Sequence, residues 1–124
     1  MDYVEYAADF ETNTTAEGVA KNPVWAWGVC LVGDTNSFIY DVSIKSFIDT
    51  ILNFNNARIW FHNLAFDGKF IIDYLLRHGF KHVEQINDNK QLSTVIDDMG
   101  RFYSIKFRAT DKEIVFADSL KKVT

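Results

Sequence analysis

The sequence predicts an α/β fold built on a mixed sheet, and three observations carry that prediction. Residues 3–11, 24–32 and 38–40 read as three consecutive strands joined by turn-rich segments. Two amphipathic helical stripes then alternate with a short fourth strand at 58–61. Three more strand patterns follow residue 90, at 91–97, 101–108 and 113–117. Strands that first pair as a meander and then alternate with helices require a mixed sheet with helices packed on it.

The first strand, residues 3–11, has an apolar approach through Val4, Tyr6 and Ala8 and then carries Asp9 and Glu11. Residues 12–22 are polar and turn-rich, so a loop is expected. Pro23, the only proline, opens a run of strand formers to Val32 in which Ala26 and Gly28 alternate with Trp25 and Trp27, as if one face must stay flat. Gly33 to Ser37 reads as a turn and Phe38-Ile39-Tyr40 as a short third strand. Ser43 is placed to cap a helix over 44–54, because Ile44, Phe47, Ile48, Ile51 and Leu52 recur at spacings of three and four. Asn55-Asn56 ends it, and Arg58 to Phe61 form the fourth strand. Phe66, Phe70, Ile71, Tyr74 and Leu75 give a second helical stripe, closed by Gly79 as the residue just past its end. The tail from Asp118 to Thr124 reads as the capped start of another helix.

At 124 residues, 48% hydrophobic and 15% aromatic, the chain is sized and composed as one folded domain, not as a disordered segment. The single cysteine, Cys30, has no partner for an internal disulfide, which fits a reducing, cytoplasmic setting. No basic-then-apolar leader opens the sequence and no apolar run reaches about 18 residues, so neither secretion nor membrane spanning is expected. The net charge of −4 is divided unevenly, with −5 in residues 1–62 and +1 in residues 63–124. The acidic half holds the Asp9-Phe10-Glu11 strand. A duplex-DNA binder would be basic.

Side chains alternate along a strand, so Asp9 and Glu11 share a face while Phe10 points the other way. Two like charges on one face repel unless water, donors or a cation separate them. Hard carboxylate oxygens suit Mg²⁺ or Mn²⁺, and two such ions about 4 Å apart clamp both oxygens of a phosphoryl displacement. Two solvated acids at a polar strand end are the plainer alternative. Asp67 is placed in the first turn of the second helix, where the helix dipole alone favours an acid by roughly 0.3–1 kcal/mol. His62 and Asn63, between a strand and that helix, put donors at the mouth of any cleft between them.

Three segments taken together resemble a known family. Asp9-Phe10-Glu11-Thr12, then Phe61-His62-Asn63-Leu64-Ala65-Phe66-Asp67-Gly68, then Asp118-Ser119-Leu120-Lys121-Lys122 resemble the N-terminal proofreading exonuclease of protein-primed family B DNA polymerases of phages and linear plasmids. The resemblance runs essentially from end to end. It implies a ribonuclease-H-like fold of the DnaQ exonuclease type: a mixed sheet with flanking helices, incomplete at the C-terminus, with a β-rich extension after residue 90. Residues 1–124 are then one domain, a partial 3′–5′ exonuclease. The resemblance implies that Asp9, Glu11 and Asp67 are catalytic ligands of a two-metal Mg²⁺ or Mn²⁺ site. It also implies that Thr12, Trp60, His62, Asn63, Phe66 and Phe70 hold the frayed 3′ end of single-stranded DNA. Ser119 and Leu120 fall in a motif linked with single-strand binding and with the terminal protein that primes synthesis.

One family feature has no match in the sequence, a third motif, Tyr-x-x-x-Asp, on a later helix. The expectation is therefore an incomplete metal site and an isolated chain that is inactive or very slow. Two roles stay open: a portion of a polymerase that works with the rest, or a stand-alone module that binds single strands, a polymerase or a terminal protein without chemistry. Apolar surface left exposed near Val115 and Leu120 is expected to drive self-association or partner binding.

Overall fold

A computed structural model of the chain describes residues 3–12, 24–100 and 102–119. In chain order these form β1 (Val4–Thr12), β2 (Val24–Leu31), β3 (Asp34–Asp41), α1 (Ile44–Ile51), β4 (Ala57–Phe61), α2 (Leu64–Arg77), β5 (Lys81–His82), β6 (Gln91–Ile96), β7 (Phe102–Ala109) and β8 (Lys112–Asp118). The eight strands join in one sheet, in the order β3-β2-β1-β4-β8-β7-β6-β5. β1, β4 and β8 run parallel in its centre, and the hairpins β1-β2-β3 and β6-β7-β8 flank them.

Alternation along each strand decides which face is covered. Phe10 of β1, Trp27 and Val29 of β2, Ile59 and Phe61 of β4, Ile105 and Phe107 of β7, and Ile114 and Phe116 of β8 all turn to one side and are buried. The register lines them into rows, such as Tyr6–Ile59–Phe116–Ile105. α1 brings Phe47, Ile48 and Ile51 onto that face, and α2 brings Leu64, Ile71 and Leu75. Phe47 is the hub: its ring meets Phe10 at 4.9 Å, Trp27 at 5.4 Å, Phe61 at 6.1 Å and Phe116 at 6.2 Å between centroids. Edge-to-face packing of this kind adds to the area each ring buries.

The sequence-based elements hold with four adjustments. The third strand is longer than 38–40 because the hairpin turn is only Val32-Gly33, with Gly33 at φ 87. The Ser37 hydroxyl accepts from the Leu31 N–H and donates to the Asp34 carbonyl, which pins the strand start. Ser43 does cap α1, accepting from the Ser46 N–H at 3.2 Å, but the helix stops at Ile51. Beyond it, Asn53 and Phe54 bond back three residues, and this tighter turn lets Phe54 stack on Tyr6 at 4.3 Å. β5, two residues long, is too short to leave a pattern. Asp118 belongs to β8 rather than lying beyond it: inward positions Ile114 and Phe116 continue to Asp118, and a helical turn begins at Ser119. The β-rich stretch expected after residue 90 is present as β6, β7 and β8. They complete the same sheet, with β8 inserted beside β4.

Gly79, at φ 86, closes α2 as expected. The expected loop falls almost wholly on residues outside those described, as does the tail beyond Ser119. Val115 is half-buried, and Leu120 lies outside the described residues. Among the described residues, exposed apolar side chains include Phe38, Ile39 and Tyr40 of β3, Val42, Leu76, Val95, Ile96 and Met99. Among the described residues no helix is long and apolar enough to cross a membrane.

Because Phe47 ties α1 to four strands, Phe47→Ala should lose about 3–5 kcal/mol of stability in a urea melt. A loss below about 1 kcal/mol would show that the ring cluster does not hold the helix to the sheet.

Candidate metal and nucleic-acid site

The ladders pair Ala8 with Phe61 and Phe61 with Asp118, so β4 and β8 end at the same level, beside Ala8 of β1. Ligands of open α/β sheets gather at this kind of edge. Here it presents Asp9 to Thr12 from β1, His62 and Asn63 after β4, and Asp118 and Ser119 at the end of β8.

β1 runs further than its parallel neighbour. Its pairing with β4 stops at Ala8, while its pairing with β2 continues, Asp9 opposite Gly28 and Glu11 opposite Ala26. Between Glu11 and Thr12 the register slips, because Val24 lies opposite Thr12 and Trp25 is an extra residue. Such a bulge bends the strand end and re-aims its side chains. Asp9 and Glu11 are both exposed there.

α2 occupies the space that β4 leaves. Its N-cap is Asn63, whose carbonyl accepts from the Asp67 N–H at 3.0 Å. This turn delivers the Asp67 carboxylate to β1, where the backbone N–H of Phe10 donates to it. Asp67 is only 5% exposed. Burial first, then the charge of Asp9 and lastly that of Glu11, push its carboxyl up to about 7, while the Phe10 N–H favours the ionised form and pulls the other way. Asp67, more than fifty residues along the chain from Asp9 and Glu11, thus feels the charge of both at one strand end.

The remaining sequence-predicted residues distribute around this point. His62 and Asn63 are exposed, and the Asn63 side chain makes no capping bond, so its amide faces outward unspent on the helix. Phe66 is exposed and Phe70 half-buried, their rings edge to face at 5.4 Å. Thr12 is half-buried at the end of β1. Trp60 pairs with Ala7 and so shares the Asp9–Glu11 face, with its indole N–H donating to Glu5 at 3.0 Å. Ser119 is half-buried just after β8. Sequence reading missed Asp118 as an inward carboxylate, 5% exposed at the same edge. The signal was present in the alternation Ile114, Phe116, Asp118.

A donor set made only of carboxylate oxygens, mutually repelling and partly buried, has the chemistry that a hard divalent cation takes. Among the described residues, no three His, Cys, Asp or Glu side chains stand as a ready-formed metal cage. The acids fit a cation by chemistry and by mutual charge, in a site that is open rather than enclosed.

No protein-family model matches the chain. Individual relatives do. It is 37% identical over 123 residues to the DNA polymerase of Bacillus phage phi29, and 34% identical over 123 residues to that of Bacillus phage Nf. These alignments take in 95% of this chain and 20% and 21% of the relatives, so the chain spans about a fifth of the curated proteins it matches. Phi29 DNA polymerase in an orthorhombic crystal form superposes with a TM-score of 0.82 at 32% identity, covering 97% of this chain and 21% of that one. The phi29 enzyme complexed with single-stranded DNA gives 0.78 at 33% identity, with the same coverage. Sequence and fold agree that the chain is homologous to a region of phage DNA polymerases. Within that class the chain is a homologue of the N-terminal region of the protein-primed, phi29-type enzymes.

The raised carboxyl of Asp67 makes a prediction about stability. Folded, it keeps its proton up to about pH 7; unfolded, it releases it in the ordinary carboxylate range, near 4. The folded state therefore binds the extra proton, and stability falls as pH rises from about 4 to about 7. In chelator, Asp67→Asn should be more stable than the parent at pH 8 by on the order of 1–4 kcal/mol, and the gap should close by about pH 4. Denaturant melts at the two pH values measure it; a gap that does not change with pH contradicts the charge coupling.

Proposed function

We propose that this chain is the exonuclease portion of a protein-primed DNA polymerase, holding the 3′ end of a single strand over the Asp9–Glu11–Asp67 edge. The observation that carries the reading is the convergence of these acids, seen in the upward push of Asp67 by Asp9 and Glu11. Asp9, Glu11 and Asp67 would hold divalent metal. When bound, a metal pair supplies charge neutralisation at the scissile phosphodiester and activation of the attacking water.

The chain's own residues supply grip and orientation. The exposed ring of Phe66, braced by Phe70, offers a face for a terminal base. Stacking accepts any base, as proofreading requires. Asn63 and His62 donate to phosphate or sugar oxygens beside it. Trp60 extends the grip along the acid face, and Thr12 and Ser119 border the same edge. A contact to the terminal protein at Ser119 and Leu120 belongs to the same proposal. With no match to the third motif, hydrolysis by this chain alone is slow or absent.

A second reading, a module that binds the strand without cutting it, draws on the open form of the acid set. The two are separated with a 3′-labelled single strand, in Mg²⁺ or Mn²⁺ and in chelator. Binding should depend on metal and on Asp9 and Asp67. Phe66→Ala should weaken it by about 1–3 kcal/mol, roughly 5- to 150-fold. Hydrolysis should appear, lost in Asp9→Ala, when the remainder of a phi29-type polymerase is added. Equal affinity for blunt duplex, or binding indifferent to metal and to Asp67→Asn, would overturn the proposal. No hydrolysis under any of these conditions would favour the non-cutting module.

A further inference from the structure

Alternation along β1 puts Glu5, Ala7, Asp9 and Glu11 on the sheet face turned away from α1 and α2. On the same face of β4, the ladder sets Arg58 beside Glu5 and Trp60 beside Ala7. A nucleic-acid strand leaving Asp9 along this face therefore meets Trp60 before it meets Arg58. The neighbours of Trp60 across the two ladders are Ala7 of β1 and Ala117 of β8, both too small to bracket an indole. The ring is tied at its polar end. Its N–H donates to Glu5 Oε1 at 3.0 Å, along the diagonal between the two strands. The same oxygen lies 3.7 Å from the Arg58 guanidinium, which draws the carboxylate toward β4.

Stability does not account for this arrangement. The Arg58 and Glu5 side chains are 39% and 40% exposed, and an ion pair so placed contributes little. A half-buried indole N–H beside water exchanges one acceptor for another, so the net gain of its bond is small as well. What the bond fixes is the direction of the ring. Charge alone would make Glu5 a poor residue for a face that meets DNA, because it repels phosphate. We propose that Glu5 is a positioning residue: it aims Trp60 as a stacking platform for a base of the single strand upstream of the terminal one. An aromatic face accepts any base there, as Phe66 does at the 3′ end. The inference rests on the single-strand reading above, and adds to it a second platform and the residue that orients it.

The test measures binding of a short 5′-labelled oligothymidylate in Mg²⁺, intact and with one base removed at a time upstream of the 3′ end. In the parent, one such removal should weaken binding about fivefold or more, and Trp60→Ala should abolish that difference. Glu5→Gln keeps an acceptor for the indole N–H and should keep the difference. Glu5→Leu should erase most of it, while the oligonucleotide lacking that base binds as tightly as to the parent or more tightly. In a Trp60→Ala background Glu5→Leu should cause no further loss, which separates aiming of the ring from damage to the fold. If Glu5 only repels DNA, Gln and Leu tighten binding alike and the difference stays, which overturns the proposal. A parent in which no upstream base matters, although the intact strand binds in a metal-dependent way, also overturns it and leaves the Asp9–Glu11–Asp67 reading standing. A parent with no metal-dependent binding of the intact strand overturns both.

Discussion

One approach organises this edge of the molecule: Asp67, from the first turn of α2, comes within reach of the Phe10 backbone N–H and of the charges of Asp9 and Glu11. It exists because β1 outruns β4, leaving backbone beyond the parallel ladder for a side chain of α2 to meet. That side chain is an acid brought toward two others. A buried carboxylate near two like charges is unfavourable by itself, and one donated hydrogen bond offsets only part of the penalty. The arrangement becomes favourable when positive charge enters, which is the physical sense of a cation site.

The rest of the fold keeps that strand end in place. The aromatic cluster around Phe47 ties α1 to β1, β2, β4 and β8. α2 is held by Ile71 and Leu75, deep in the same core, so its first turn has little freedom relative to β1. The bulge at Glu11–Thr12 ends the regular pairing where the acids need to turn outward. Core packing on one face therefore sets the geometry of the acids at its edge.

Much of this was legible in the residues themselves. Period-two alternation marked β1, β2, β7 and β8, and spacings of three and four marked both helices. The Asp9–Glu11 pair announced a shared face. The convergence of Asp67 with them was not legible from spacing, because it depends on β4 being shorter than β1 and on α2 folding back over that gap. Only the resemblance of whole segments brought the three acids together. Asp118 was placed beyond the strand because Asp before Ser-Leu reads as a helix start, while the alternation Ile114, Phe116, Asp118 carries β8 through it and a helical turn begins only at Ser119. Val115, expected beside exposed apolar surface, is half-buried because β8 lies in the middle of the sheet, between β4 and β7.

The convergence of the three acids is tested most directly by a carboxyl-carbon NMR titration of Asp67, in the parent and in Asp9→Asn. In the parent the Asp67 carboxyl should titrate near 7, and removing the Asp9 charge should move it downward without reaching the ordinary range, because burial persists. An Asp67 that titrates in the ordinary carboxylate range, unmoved by the loss of Asp9, would show that the three acids do not share a site.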